Sequence, residues 1–235
     1  MKRATISLLI MSLAVLTGCS NSTVGSKNEQ SNNAATAGTS LSSMTVSNAD
    51  EALERLKKGN EQYVNDSEER VDVSSARRTE LENGQNPFAV VLSCSDSRVV
   101  TSRIFNTGLG DIFDIKIAGN VVDDLAIGSI EYGVEHLNVP LLVVMGHEKC
   151  GAVTAAYDSV NNGTEAEGDI EAIVEKIEPA VKASSSVEEA AHKNVEDVIA
   201  ELKEDEIIKH LVEAGKLKVV GAYYDLDGHV DFLNE

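Results

Sequence analysis

The folded part of this sequence alternates between short apolar runs and longer segments whose apolar residues recur at helical spacing. The runs that follow Pro87 and Pro140 are nearly all apolar and of strand length, which is typical of strands buried on both faces of a parallel sheet. Asp227-Gly228 is typical of a tight turn between two further strands. The predicted strands are residues 88–93, 111–117, 141–145, 218–226 and 230–233.

Helical periodicity fills most of the sequence between these strands. The first helix has Leu53, Leu56 and Tyr63 on one face, and Ser47 is predicted to cap it with Asp50 three residues on. Because strands alternate with helices, we expect an α/β fold with a mainly parallel central sheet flanked by helices. The predicted helices are residues 49–64, 74–83, 125–137, 152–160, 170–183, 187–202 and 206–214.

The first 46 residues differ from the rest in composition. Lys2 and Arg3 precede an apolar run at residues 6–16, which is too short to span a bilayer and is typical of a signal peptide. Residues 20–43 are rich in Ser, Asn, Thr, Ala and Gly and have little to bury, which predicts a flexible tether. The predicted organisation is a signal peptide at 1–18, a tether at 19–46 and one folded domain at 47–235.

The signal peptide ends in Leu16-Thr17-Gly18-Cys19, which resembles the lipobox of bacterial lipoproteins. The resemblance implies that Cys19 carries a lipid and becomes the mature N-terminus. We therefore expect an exported protein, anchored by this lipid at the cell membrane or envelope outside the cytoplasm. The alternative is an ordinary cleaved signal peptide from which Cys19 is discarded.

The chain is strongly acidic, with a formal net charge of -19 that becomes -21 when Lys2 and Arg3 leave with the signal peptide. Such a surface argues against nucleic acid or anionic lipid headgroups as direct partners. The lipid anchor is then the sole expected link to a membrane. The acidity itself is typical of a soluble domain.

Two of the predicted buried strands are followed by potential metal ligands. Cys94 follows the strand at 88–93, and His147 and Cys150 come just past the strand at 141–145. Sites in open α/β sheets form outside the carboxyl ends of strands, so these three side chains can converge. Two thiolates and one imidazole form a tetrahedral zinc set with one open position, as in catalytic zinc sites.

Asp96 and Arg98 lie in the same motif as Cys94. The Arg98 guanidinium is expected to keep the Asp96 carboxylate ionised and oriented. An ionised Asp96 can accept a hydrogen bond from zinc-bound hydroxide, or it can bind zinc itself as the fourth ligand of a closed state.

The same residues allow two other interpretations, a disulfide and a cysteine phosphatase. Export permits a disulfide between Cys94 and Cys150, but that leaves His147 and the Asp-Arg pair without a role. Cysteine phosphatases place an arginine six positions after their nucleophile, whereas Arg98 is four positions after Cys94. The spacing therefore argues against a cysteine phosphatase.

The motifs Cys94-Ser-Asp-Ser-Arg98 and Gly146-His-Glu-Lys-Cys-Gly-Ala152 resemble the two signature motifs of β-class carbonic anhydrases. The similarity extends from about Ala49 to the C-terminus. Further stretches that match are Gly108-Leu-Gly-Asp-Ile-Phe113, Ala118-Gly-Asn120, Ser129-Ile-Glu-Tyr-Gly-Val134 and Gly221-Ala-Tyr-Tyr-Asp-Leu226.

The resemblance implies the reversible hydration of carbon dioxide to bicarbonate and a proton by zinc-bound hydroxide, with one Zn²⁺ per subunit. The implied zinc ligands are Cys94, His147 and Cys150, and the implied catalytic dyad is Asp96 with Arg98. Further residues match substrate-binding positions of the family: Gln85 across a dimer interface, Phe113, Ala118 and Tyr132 in the carbon dioxide pocket, and the backbone N–H of Gly151.

The resemblance also implies assembly into a homodimer or a tetramer of dimers, with the active site at the interface. The apolar face of the helix at 49–64 is then expected to be an N-terminal arm that embraces a partner subunit. From pattern alone, the same face could belong to the core.

The sequence departs from the family at two informative points. Lys116 stands where the family usually has arginine, and tryptophan is absent. In a bicarbonate-inhibited subgroup, a tryptophan and that arginine help to form a second, regulatory bicarbonate site, so we expect that site to be lacking here. We therefore predict an open state at working pH, with Asp96 away from the zinc.

Two function classes compete with carbon dioxide hydration. One is a related zinc hydrolase that acts on carbon disulfide or carbonyl sulfide, and the other is a non-catalytic lipoprotein that stores or delivers zinc. The pocket lining distinguishes the first, and zinc retention without activity identifies the second.

Overall fold

The computed structural model describes Leu41 and residues 44–234. The predicted signal peptide, the predicted lipidation site Cys19 and most of the predicted tether lie outside these described residues, so they stay predictions. Among the helices in the described ranges, none combines the length and apolarity that a membrane crossing requires.

One sheet contains all five strands of the described residues: β1 (Ala89–Ser93), β2 (Ile112–Lys116), β3 (Leu141–His147), β4 (Lys218–Tyr224) and β5 (Val230–Leu233). Their order is β2-β1-β3-β4-β5; the first four are parallel, and β5 is antiparallel to β4. Every residue of β1 and β3 is buried, since both strands lie inside the sheet with helices on either face. The predicted mainly parallel α/β fold is confirmed.

Helices cover both faces of the sheet. The helices are α1 (Ala49–Val64), α2 (Ser75–Leu81), α3 (Thr101–Ile104), α4 (Asp124–Glu131), α5 (Gly151–Asn162), α6 (Ile170–Lys182), α7 (Val187–Glu204) and α8 (Glu206–Glu213). One face of the sheet packs against α4, α7 and α8, and the other packs against α1 and α3.

The start of α1 differs from the prediction. Asn48, not Ser47, is the N-cap, and its side-chain oxygen accepts the N–H of Glu51. Glu51 in turn accepts hydrogen bonds from the backbone N–H and the hydroxyl of Ser47. Ser47 therefore supports the cap from one position earlier.

The apolar face of α1 packs on the core of its own chain. Leu53 and Leu56 are buried against Phe105 and the neighbouring strands. Gly59 makes this close approach feasible, because a Cβ there would lie 1.8 Å from the Phe105 carbonyl oxygen. The core interpretation of this face is therefore confirmed for these residues, whereas the embrace of a partner subunit by this helix stays a prediction.

The predicted helix at 125–137 does not continue to its end as an α-helix. After α4 the chain forms a wider π-helical turn at Tyr132–His136, in which the N–H of Leu137 donates to the carbonyl of Tyr132. The N–H of Val139 then donates to the carbonyl of Gly133, so the chain turns towards Pro140 and β3 within a few residues.

Candidate metal centre

Cys94, His147 and Cys150 come together at the carboxyl end of the sheet. Their potential ligand atoms, two Sγ and one imidazole nitrogen, all lie within 4.8 Å of one another. All three residues are buried, and both cysteines are free thiols, so no disulfide joins them. The structure therefore brings together the three residues that the sequence selected.

The parallel sheet explains this convergence across 53 positions of sequence. β1 and β3 are direct neighbours, with Ser93 paired to Met145. Cys94 is the residue after β1, while His147 is the last residue of β3 and not, as predicted, just past it. Cys150 lies three residues further on, directly before α5.

The His147 ring is oriented by the backbone. Its Nδ1 lies 2.9 Å from the carbonyl oxygen of Glu148. A carbonyl oxygen can only accept, so Nδ1 carries the proton and Nε2 presents a lone pair. Nε2 is buried and has no hydrogen-bond partner among the described residues. A buried acceptor without a partner is costly, and a metal ion would satisfy it.

The contact between Cys94 and Cys150 shifts the pKa values of the two thiols in opposite directions. A hydrogen bond from Cys150 is the main reason why the pKa of Cys94 is lowered to about 4, and backbone N–H groups add to it. Those backbone donors are Gly119, 3.3 Å from Cys94 Sγ, and Asp96, at 3.4 Å. The same Cys94 contact, together with burial, raises the pKa of Cys150.

Asp96 and Arg98 form a bidentate ion pair beside this cluster. Arg98 Nε donates to Asp96 Oδ1 at 2.9 Å, and Arg98 Nη2 donates to Asp96 Oδ2 at 2.7 Å. These hydrogen bonds hold the pKa of Asp96 well below its usual range. Asp96 Oδ2 lies 4.0 Å from His147 Nε2, so an ionised carboxylate adjoins the unpartnered nitrogen.

A buried amide that sequence analysis missed supports the cluster from α7. Asn194 Nδ2 donates to the carbonyl of Gly119 at 2.8 Å, and the N–H of Gly119 faces Cys94. Gly119 has a φ of 68°, and a Cβ there would lie 2.6 Å from Ile177 Cδ1. The contact spans 75 positions of sequence, so no local pattern could have revealed it.

Two of the five residues assigned to substrate binding adjoin the cluster. Gly151 directly follows Cys150 and opens α5, and a Cβ on it would meet nothing within 4 Å, so it borders open space. Ala118 directly precedes Gly119 in a short 3-10 turn at Ala118–Asn120. These two positions lie where a small molecule could approach the cluster.

The other three assigned residues lie elsewhere on the subunit. Phe113 lies on the edge strand β2, and its ring centroid is 6.1 Å from that of Tyr132. The Tyr132 residue is 48% exposed. Phe113 pairs with Val90, three residues before the end of β1, and is therefore about 10 Å from the carboxyl edge. Gln85 is exposed in the loop between α2 and β1.

Comparison with known proteins decides the family. A family model described as carbonic anhydrase matches residues 89–230, the span that holds the cysteine-histidine cluster. A crystal structure from work on two tetrameric β-carbonic anhydrases of the ascomycete Sordaria macrospora superimposes with a TM-score of 0.60 and 26% identity, covering 67% of this chain and 86% of that chain. The chain belongs to the β-carbonic anhydrase family.

Two mycobacterial relatives agree with this assignment. Carbonic anhydrase 2 of Mycobacterium tuberculosis is 41% identical over 182 residues, which cover 75% of this chain and 88% of the relative. The carbonic anhydrase of Mycolicibacterium smegmatis is 38% identical over 195 residues, which cover 80% of this chain and 95% of the relative. The chain is thus an enzyme of the carbonic anhydrase class.

Proposed function

We propose that this β-carbonic anhydrase catalyses the reversible hydration of carbon dioxide to bicarbonate and a proton, with one Zn²⁺ per subunit bound by Cys94, His147 and Cys150. The observation that carries the proposal is the buried, unpartnered Nε2 of His147 beside two buried sulfur atoms. Two sulfurs and one imidazole suit zinc, and three protein ligands leave one coordination position for catalysis.

Neighbouring groups orient the His147 ring and stabilise the charged form of Cys94, and both effects favour binding of this ion. A zinc ion bound there would lower the pKa of a coordinated water towards neutrality and would so supply a nucleophile without strong base. The Glu148 carbonyl accepts the proton of His147 Nδ1, which leaves Nε2 as the nitrogen available to a metal. Gly119 and Asp96 stabilise the charged form of Cys94 through their N–H groups.

Asp96 is proposed to orient the attacking oxygen. Its carboxylate stays ionised because Arg98 donates to both oxygens, and it adjoins His147 Nε2. An ionised carboxylate accepts a hydrogen bond from the nucleophile and leaves a lone pair directed at the carbon of the substrate. While Arg98 occupies both oxygens, Asp96 stays away from the metal, which is the proposed open state.

Substrate contacts are proposed for Gln85, Phe113, Ala118, Tyr132 and Gly151. The N–H of Gly151 lies in the first turn of α5, a 12-residue helix whose N-terminus stabilises negative charge such as that of bicarbonate. Gln85 and Tyr132 are exposed on the single subunit, which fits a pocket completed by a second copy. We therefore propose a homodimer or a tetramer of dimers.

Export and anchoring complete the proposal. The lipobox-like sequence that ends at Cys19 supports lipid attachment, and the acidic chain supports contact with the membrane through that lipid alone. The proposed location is the outer side of the cell membrane or the cell envelope.

Substrate choice tests the proposed function. The purified zinc-loaded chain is expected to accelerate carbon dioxide hydration in stopped-flow measurements by a factor of at least ~10⁶ over buffer, within the usual range for enzymes. The same preparation is expected to release no hydrogen sulfide from carbon disulfide or carbonyl sulfide. Sulfide release without hydration would replace the proposal by the hydrolase, and zinc retention without either reaction would replace it by a zinc-holding protein.

A further inference from the structure

Lys116, the last residue of β2, extends over the carboxyl edge of the sheet towards the loop that follows β1. Its Nζ donates to the carbonyl oxygens of Cys94 at 2.7 Å and Val99 at 2.6 Å, and to the hydroxyl of Ser93 at 3.3 Å. A lysine ammonium has three N–H donors, so all of them are used. The acceptors are neutral oxygens and include both ends of the 94–99 loop.

The two carbonyl bonds tie the ends of this loop to one atom. Between them lie Asp96 and Arg98, the pair proposed to orient the nucleophile. Hydrogen bonds from a charged donor are about twice as strong as neutral ones, so the separation of the two ends is firmly set. The position of the Asp-Arg pair relative to the cluster depends on that separation, because the loop is only six residues long.

Hydrogen bonds inside the loop connect its fixed ends to the Asp96–Arg98 pair. The N–H of Arg98 donates to Asp96 Oδ1 at 2.9 Å, and the N–H of Val99 donates to the Asp96 carbonyl at 3.1 Å. The N–H of Asp96 faces Cys94 Sγ. Each of these amides keeps its partner only while the loop stays folded, so their exchange rates report its order.

A second side chain of β2 lies beside the segment that follows the loop. Asp114 lies two residues before Lys116 and therefore on the same face of the strand. Burial raises the pKa of the Asp114 carboxyl, and its interaction with the side chain of the buried Thr101, just beyond Val99, opposes that rise. Lys116 thus binds both ends of the 94–99 loop, and Asp114 contacts the segment just beyond it.

We propose that Lys116 is a positioning residue that holds the Asp96–Arg98 pair in its working orientation through the two ends of the 94–99 loop. The inference rests on the proposed function, since it concerns the same site. Lys116, at a position where the resemblance implies an arginine, thereby has a structural task in the active site. Two of its three donors bind the ends of the loop.

Three variants test this role. Lys116→Met keeps a long side chain but removes every donor, Lys116→Arg keeps charge and donors, and Lys176→Met removes a surface lysine that pairs with Glu201 as a matched control. The zinc-loaded proteins are compared by amide hydrogen exchange of Asp96, Arg98 and Val99 in NMR spectra, by zinc content and by carbon dioxide hydration.

In K116M, the three loop amides are expected to exchange about tenfold faster or more, as local opening becomes easier. We expect kcat to fall about 10- to 100-fold through misplacement of the pair, with zinc content retained. K116R is expected to recover most of both losses, and K176M to match the unmodified chain.

Unchanged loop exchange in K116M would overturn the proposal, and so would a kcat loss that K116R does not recover at all. If the unmodified chain does not hydrate carbon dioxide, the proposed function fails, whereas the exchange rates still decide whether Lys116 holds the loop.

Discussion

Cys94→Ser is expected to lower the zinc affinity by more than ~100-fold, because loss of an outer-shell partner alone costs about 10- to 100-fold. Serine replaces a thiolate whose pKa is lowered to about 4 by a hydroxyl that stays protonated. The buried Nε2 of His147 then loses the ion proposed to satisfy it. Competition with a zinc-binding dye measures the affinity, and carbon dioxide hydration is expected to fall with zinc occupancy.

Cys19→Ser is the matched control for this change. It makes the same substitution at the cysteine assigned to the lipid, so zinc affinity and hydration are expected to equal those of the unmodified chain. Equal zinc affinity in Cys94→Ser and Cys19→Ser would rule out Cys94 as a ligand.

Asp96→Asn is expected to reduce kcat by about 10²- to 10⁴-fold, the usual contribution of a positioned proton-handling side chain. Asparagine has nearly the same shape as aspartate but carries no charge, so it loses the ion pair with Arg98 and accepts hydrogen bonds weakly. The zinc ligands are untouched. Stopped-flow hydration, with zinc content measured on the same samples, separates lost catalysis from lost metal.

Asp197→Asn provides the control for Asp96→Asn. Asp197 pairs with Lys193 on the surface of α7, and such exposed pairs contribute little, so its loss is expected to leave hydration unchanged. If Asp96→Asn keeps more than half of the activity, the proposed role of the Asp-Arg pair is wrong.

The sequence predicted the part of the site that depends on strand ends. The apolar runs before Cys94 and His147 identify two buried parallel strands, and such strands end at one edge of a sheet. Their pairing with Ser93 opposite Met145 then brings Cys94 to His147. Cys150 follows because it lies only three residues beyond His147.

Features set by contacts distant in sequence could not be predicted. The hydrogen bonds from Asn194 to Gly119 and from Lys116 to Cys94 span 75 and 22 positions, and neither leaves a periodic signal. The packing of α1 on its own core depends on Gly59. The need for glycine there becomes apparent only from its close approach to the Phe105 carbonyl in the folded chain. The four-residue helix α3 was too short for its periodicity to be recognised.

A zinc titration of the metal-free chain tests the central claim most directly. Carbon dioxide hydration is recorded by stopped flow after each addition of Zn²⁺, with bound metal counted in parallel. We predict that activity rises in proportion to bound zinc and reaches its maximum at one zinc per subunit. Full activity without zinc, or one tightly bound zinc per subunit with hydration no faster than buffer, would contradict the account.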